Sequence, residues 1–176
     1  MQKLVVVING AGGHGKDTIC DIVGKHYSIC NISSISPIKQ IAGMGGWENE
    51  KTLAARKLLS DLKAAFTAYN DLPLKYVLSE YESFLSSTAD IFFVHIREGK
   101  EIKKFLSHVE IDHATLLVKK IYNSITEFGN PSDDCIADFC YDYIYINDKP
   151  LDELEEDFMC FFNKIIRRID ASGESL

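Results

Sequence analysis

The segment LVVVINGAGGHGKDT, residues 4–18, constrains the fold more than any other part of the chain. Residues 3–8 (KLVVVI) are apolar almost without a break, the pattern of a strand covered on both faces, as in parallel sheets. Glycines then stand at positions 10, 12, 13 and 15, followed by Lys16, Asp17 and Thr18. Apolar residues at Ile19, Cys20, Ile22 and Val23 predict a helix over about 16–26. A strand that turns through glycines into a helix N-terminus presents backbone N–H groups to an anion.

Two motifs fit this turn. Gly10, Gly12 and Gly15 satisfy the dinucleotide pattern G-x-G-x-x-G. Gly10, Gly15 and Lys16 satisfy all but the last position of the phosphate-loop pattern G-x-x-x-x-G-K-[ST]. The dinucleotide reading also requires an acidic residue about 20 positions on, to hold ribose hydroxyls. That region reads CNISSIS, with no Asp or Glu. The triphosphate reading requires a lysine directly after the last glycine, and Lys16 is there. The phosphate loop is therefore the reading, with a dinucleotide-binding oxidoreductase as the weaker alternative.

The rest of the chain suits one α/β domain. Strands are expected at 27–33, 91–96, 114–118 and 141–146, alternating with helical patterns, which predicts a five-stranded, mainly parallel sheet flanked by helices. Leu53, Leu58, Leu59, Leu62, Ala65, Phe66 and Tyr69 recur at helical spacing, as do Leu74, Val77, Leu78, Tyr81, Phe84 and Leu85. Ile102, Phe105, Leu106 and Val109 mark a further helix. The final one, about 151–169, has an apolar stripe of Leu151, Leu154, Phe158, Phe161, Phe162, Ile165 and Ile169. Its acids gather at the start and Lys164, Arg167 and Arg168 toward the end, in the order a helix dipole favours.

At 176 residues the chain can bury a core as one domain. A net charge of −7 argues against nucleic acid as the main partner. No apolar run approaches the ~20 residues of a membrane span, and the N-terminus lacks a signal-peptide pattern. The five cysteines include no C-x-x-C pair, which suits reduced thiols and a cytoplasmic location. His108 and His113 have no partners at metal-ligand spacing and read as surface histidines. The expected partners are small molecules, with no nucleic acid and no membrane.

GAGGHGKDT resembles the phosphate loop of nucleoside monophosphate kinases, whose adenylate kinase branch reads G-x-x-G-x-G-K-G-T. Its G-K-D-T ending is similar to phage-type deoxynucleoside monophosphate kinases. The resemblance implies a three-layer P-loop fold, ATP with Mg²⁺, and phosphoryl transfer to a nucleoside or deoxynucleoside monophosphate. It implies that the loop from Ala11 through Gly12, Gly13, His14, Gly15, Lys16 and Asp17 to Thr18 cradles the phosphates. Lys16 would bridge β and γ, and Thr18 would touch the α-phosphate. Asp17 would lie in the outer shell of a hydrated ion or cap the helix.

The segment VHIREGKEI resembles the strand-end D-x-R of deoxynucleotide kinases, which would send Arg97 toward the transferring phosphate. His95 replaces the aspartate of that pattern. A neutral imidazole is a poor Mg²⁺ ligand, so Glu98 or Asp17 would help hold the ion through water, while His95 reads as a hydrogen-bonded strand-end residue.

Residues 34–85 correspond to the helical insertion that closes on an acceptor in those kinases. There Arg56 and Lys39 are candidates for an acceptor phosphate, Asp61 for a base or sugar edge, and Trp47 for a hinge or base contact. Residues 119–134 correspond to the lid, where Lys119 and Lys120 stand and residues 121–134 add no basic group. Lysine lacks arginine's bidentate fork, so such a lid stabilises a transferring phosphoryl less well. A regulatory nucleotide-binding protein is therefore a further alternative. Asn147 and Asp148 resemble the turn that borders the adenine pocket, and Asp148 also suits a helix cap.

Overall fold

The computed structural model describes residues 2–120 and 139–173. Five strands form one sheet: β1 (Leu4–Asn9), β2 (Ile29–Ser33), β3 (Ile91–His95), β4 (His113–Lys119) and β5 (Tyr143–Ile146). All described pairings are parallel, in the order β2-β3-β1-β4-β5. The first strand thus lies in the middle, with Leu4 opposite Ile91 on one side and Val5 opposite His113 on the other. In a dinucleotide-binding sheet β1 and β2 are neighbours. Here β3 separates them, so the oxidoreductase alternative fails on topology.

Every residue of β1 is buried, as its unbroken apolar run requires. Leu4, Val6 and Ile8 face a core with α1 (Lys16–Gly24) and the long C-terminal helix α6 (Leu151–Gly173). Val5 and Val7 face a second core with α4 (Leu72–Ser86) and α5 (Gly99–Leu106). The alternation is the period-two geometry of a strand, and it makes the domain three layers. Phe158 and Phe162 of α6 are wholly buried on the first side, Phe84, Phe92 and Phe105 on the second. Each such ring contributes roughly 1.5–3 kcal/mol by leaving water.

Between β2 and β3 the chain builds α2 (Ser36–Met44), α3 (Leu53–Asn70) and α4. Pro37 and Pro73 sit in the first turns of α2 and α4, where a missing N–H is harmless. Asp71 joins α3 to α4 in the left-handed region, at φ 57.

Three sequence expectations change. The α3 stripe is not a core stripe: Leu53 and Tyr69 are exposed, Leu59, Leu62 and Phe66 are half-buried, and only Ala55 is buried. The helix packs mainly on α2 and α4, which leaves part of its apolar side uncovered. The stripe of α6 also loses Leu151 to solvent. Finally, α6 runs on to Gly173, so Lys164, Arg167 and Arg168 stand short of its last turn, where the dipole acts most.

Cys20, Cys30, Cys140 and Cys160 are free thiols. Among the described residues no helix is long and apolar enough to cross a membrane.

Candidate functional site: the glycine loop and its edge

Strands β1, β3, β4 and β5 all end on the same edge, and the loop 10–15 rises from the centre of it. Gly10, Gly13 and Gly15 adopt φ of 148, 81 and 88, a region that side chains disfavour. At Gly10 a Cβ would also lie 2.3 Å from the Val118 carbonyl oxygen, and at Gly15 2.3 Å from Asn147 Nδ2. Gly12 has neither constraint, so the second glycine of the dinucleotide pattern has no backbone role here.

The loop is stapled to the neighbouring strand ends. Asn147 donates from Nδ2 to the His14 carbonyl at 2.9 Å, and its own N–H bonds the Lys119 carbonyl at 2.7 Å. His14 Nδ1 lies 3.1 Å from the Val118 carbonyl. His14 N–H turns inward to the Ala11 carbonyl at 3.3 Å. The first bond of the α1 ladder runs from Ile19 N–H to the Gly15 carbonyl at 3.0 Å. The amides of Lys16, Asp17 and Thr18 precede that first ladder bond, at the position where a helix start binds anions. Lys16 Nζ reaches back over the loop to the carbonyls of Gly10 and Ala11, at 2.6 and 2.9 Å.

Asp17 and Thr18 are exposed on the first turn. Asp17 does not cap α1: the N-cap is Gly15, with no side-chain bond. Asp148 stands two residues before Pro150, whose carbonyl starts the α6 ladder. Lys119 and Lys120 are exposed where β4 ends, and residues 121–134 of the lid-like segment lie outside the described residues.

His95 closes β3 beside the loop. Its Nε2 lies 2.9 Å from Asn31 Oδ1, so the imidazole donates there. Burial pulls its pKa down from 6.5 to about 4; Asp17 opposes the shift, while Lys16 and Lys39 add to it. It is thus a neutral, hydrogen-bonded ring, within the field of loop and α2 together. Arg97 follows at the edge, exposed.

Glu98 binds Lys63 of α3, which also contacts Glu101 at 2.8 Å. Lys63 is only 14% exposed. Burial pushes Glu101 up to about 7, helped by the neighbouring Glu98. Burial alone would also raise Glu98, yet its hydrogen bonds to Glu101 and Lys63 together leave it below the usual carboxylate range. Glu98 is therefore committed to an ion pair, and Asp17 is the exposed carboxylate nearer the loop. No group of three or more His, Cys, Asp or Glu among the described residues could hold a metal.

A small, shallow cleft opens beside these ion pairs, between Ser34, Ile96, Asp71, Glu101 and Lys104. Lys104 is bound by Asp71 across it. The predicted acceptor residues are not among its lining. Lys39 is exposed on α2, Arg56 is exposed early in α3, and Asp61 pairs with Lys57 one turn back on the same helix at 2.6 Å. Trp47 is half-buried, with Nε1 at 3.4 Å from the Glu50 carbonyl.

Sequence reasoning missed Asn9. It is a lone polar residue closing an aliphatic strand, and it is 1% exposed. That break in an otherwise apolar run was the available signal.

No protein-family model and no curated protein matches the chain. Solved structures do resemble it. TT1252 from Thermus thermophilus aligns over 93% of this chain and 98% of its own, at 15% identity and a TM-score of 0.52. A chain assigned as a kinase from Chloroflexus aurantiacus aligns over 96% and 98%, at 10% identity and a TM-score of 0.53. A sugar kinase from Janibacter sp. HTCC2649 aligns over 93% and 95%, at 14% identity and 0.51. At such identities the likeness is one of fold: a three-layer α/β domain with a central parallel sheet, shared along nearly the whole length.

Proposed function

We propose that the chain transfers the γ-phosphoryl group of ATP to a small acceptor, with a nucleoside or deoxynucleoside monophosphate as the acceptor class. One observation carries this reading. A glycine loop with three left-handed glycines joins the central strand to a helix start, with Lys16 directly behind it. This arrangement suits a polyphosphate, because the amides and the ammonium neutralise charge without moving during the reaction. The kinase assignments of solved proteins with this fold agree with it.

Loop amides and Lys16 hold the β- and γ-phosphates. Arg97 stands at the edge where charge builds between donor and acceptor, and a guanidinium there stabilises the transferring group. The acceptor sits toward α2 and α3, with Lys39 and Arg56 on its phosphate. Mg²⁺, where bound, neutralises the phosphate oxygens; Asp17 is the carboxylate able to hold its water shell.

A second reading follows from His95. A neutral ring stands where a metal-directed carboxylate would be, which fits a protein that binds ATP to report on it rather than to spend it. Titration with ATP, and ADP release against nucleoside monophosphates and sugars, separates the two. The proposed enzyme gives acceptor-dependent turnover that Lys16→Ala lowers by about 10²- to 10³-fold with the fold intact. ATP binding with no turnover on any acceptor favours the reporter. Absence of ATP binding removes both.

A further inference from the structure

We propose that Asn9 is a positioning residue whose buried amide locks the glycine loop, the Arg97 turn and the segment at Tyr141 into one mechanical unit.

The pattern of β1 calls for another aliphatic residue at its end, since the strand is covered on both faces. A buried primary amide left without partners would carry its full desolvation cost. Asn9 instead uses its amide fully. Its Oδ1 accepts the N–H of Gly10 at 2.8 Å, at the point where the chain enters the left-handed loop. Its Nδ2 donates to the Arg97 carbonyl at 2.9 Å and to the Tyr141 hydroxyl at 2.7 Å. The amide cannot be turned over. One backbone partner is a donor and another an acceptor, so each end has an assigned role.

The three partners come from three separate crossings of the sheet edge. Gly10 starts the phosphate loop. Arg97 leads directly to Glu98, which holds Lys63 of α3. Tyr141 lies on the chain entering β5, packed edge-on to Phe139, next to Asp142, whose carboxylate binds Thr115 of β4 at 2.8 Å. A displacement of the loop at Gly10 is therefore passed through one side chain to the Arg97 turn, and onward to α3. The coupling itself stands on these bonds alone. Its effect on catalysis rests on the phosphoryl-transfer reading.

The chemistry allows the bonds to be cut one at a time. In Asn9→Asp the carboxylate still accepts from Gly10, and from Tyr141 once the hydroxyl turns, but it cannot donate to Arg97. In Tyr141→Phe only the Tyr141 bond is lost. The experiment is amide hydrogen exchange of the ligand-free protein, read over residues 10–15, 96–101 and 139–142. Asn9→Asp is expected to speed exchange of 96–101 by about tenfold with 139–142 unchanged; Tyr141→Phe is expected to do the reverse. Should Asn9→Asp not fold, Tyr141→Phe decides. Exchange that stays within twofold everywhere, or that rises evenly with a fall in melting temperature, overturns the proposal. In turnover assays Asn9→Asp should lower kcat by about 10- to 100-fold, with the Kd for ATP changed less than about threefold. If wild type shows no turnover, the phosphoryl-transfer reading fails, and the exchange pattern still decides the coupling.

Discussion

Helices α3 and α6 are the two longest among the described residues, with 18 and 23 residues, and both read as amphipathic in the sequence. They are held in different ways. The apolar side of α6 includes Phe158 and Phe162, which have no solvent exposure and stack on each other, and Phe162 also packs against Phe93. By contrast, α3 buries one alanine, is capped by Thr52 Oγ1 accepting the Ala55 N–H at 3.1 Å, and reaches α5 through Lys63. A helical period says that a helix forms, not what covers it. Helix α6 is fixed by packing. Helix α3 is only partly covered and leans on charges, and charge contacts release more readily than packed rings.

Four measurements press on that difference. Removing a ring from α6 should have the largest effect: Phe158→Ala is expected to cost about 3–5 kcal/mol in denaturant unfolding. A loss under 1 kcal/mol would mean that α6 is no better anchored than α3.

Acid comes next. His95 binds its proton less well in the folded state, so the unfolded chain takes up more protons between pH 6.5 and about 4. The contribution of His95 should be complete above 6.5 and be lost as the pH drops to about 4. The variant His95→Gln should flatten that slope; an unchanged slope would place the titration elsewhere.

Lys63→Ala should be smaller globally, about 1 kcal/mol or less, while exchange of α3 amides rises well above that of α6. The same contact should respond to pH. Glu101 holds its proton more tightly when folded, so its contribution is present below 4.5 and gone once the pH passes about 7. Glu98 has the opposite sign, losing its contribution as acid is added. Exchange of α3 that is flat from pH 5 to 8 would discount the Glu101 effect. Smallest of all, Leu53→Gln with Tyr69→Gln should stay within about ±0.5 kcal/mol, because both residues already face water.

Much of the fold was legible because parallel strands announce themselves locally. Unbroken runs such as LVVVI and IFFV located the sheet, and the loop glycines located its working edge. The order of the strands was not legible, since nothing within residues 4–9 says that 91 and 113 will flank them. The exposure of Leu53 and Tyr69 was hidden for the same reason: burial depends on what arrives from elsewhere. At the site, Gly10, Gly15 and Lys16 could be read directly. The commitment of Glu98 to Lys63, and of Asp61 to Lys57, could not be separated from ligand roles by spacing alone. Nor could Asn147, which holds the back of the loop through the His14 carbonyl.

The central place of the first-made strand also bears on biogenesis. As the ribosome releases the N-terminal segment, neither of its lateral neighbours yet exists, because they begin at Ile91 and His113. A sticky, β-prone ribbon must wait for its sheet neighbours while the helices between β1 and β3 are translated. Nascent chains whose emerged portion stops short of residue 91 should therefore engage holdase chaperones more than those in which residues through 119 have left the ribosome.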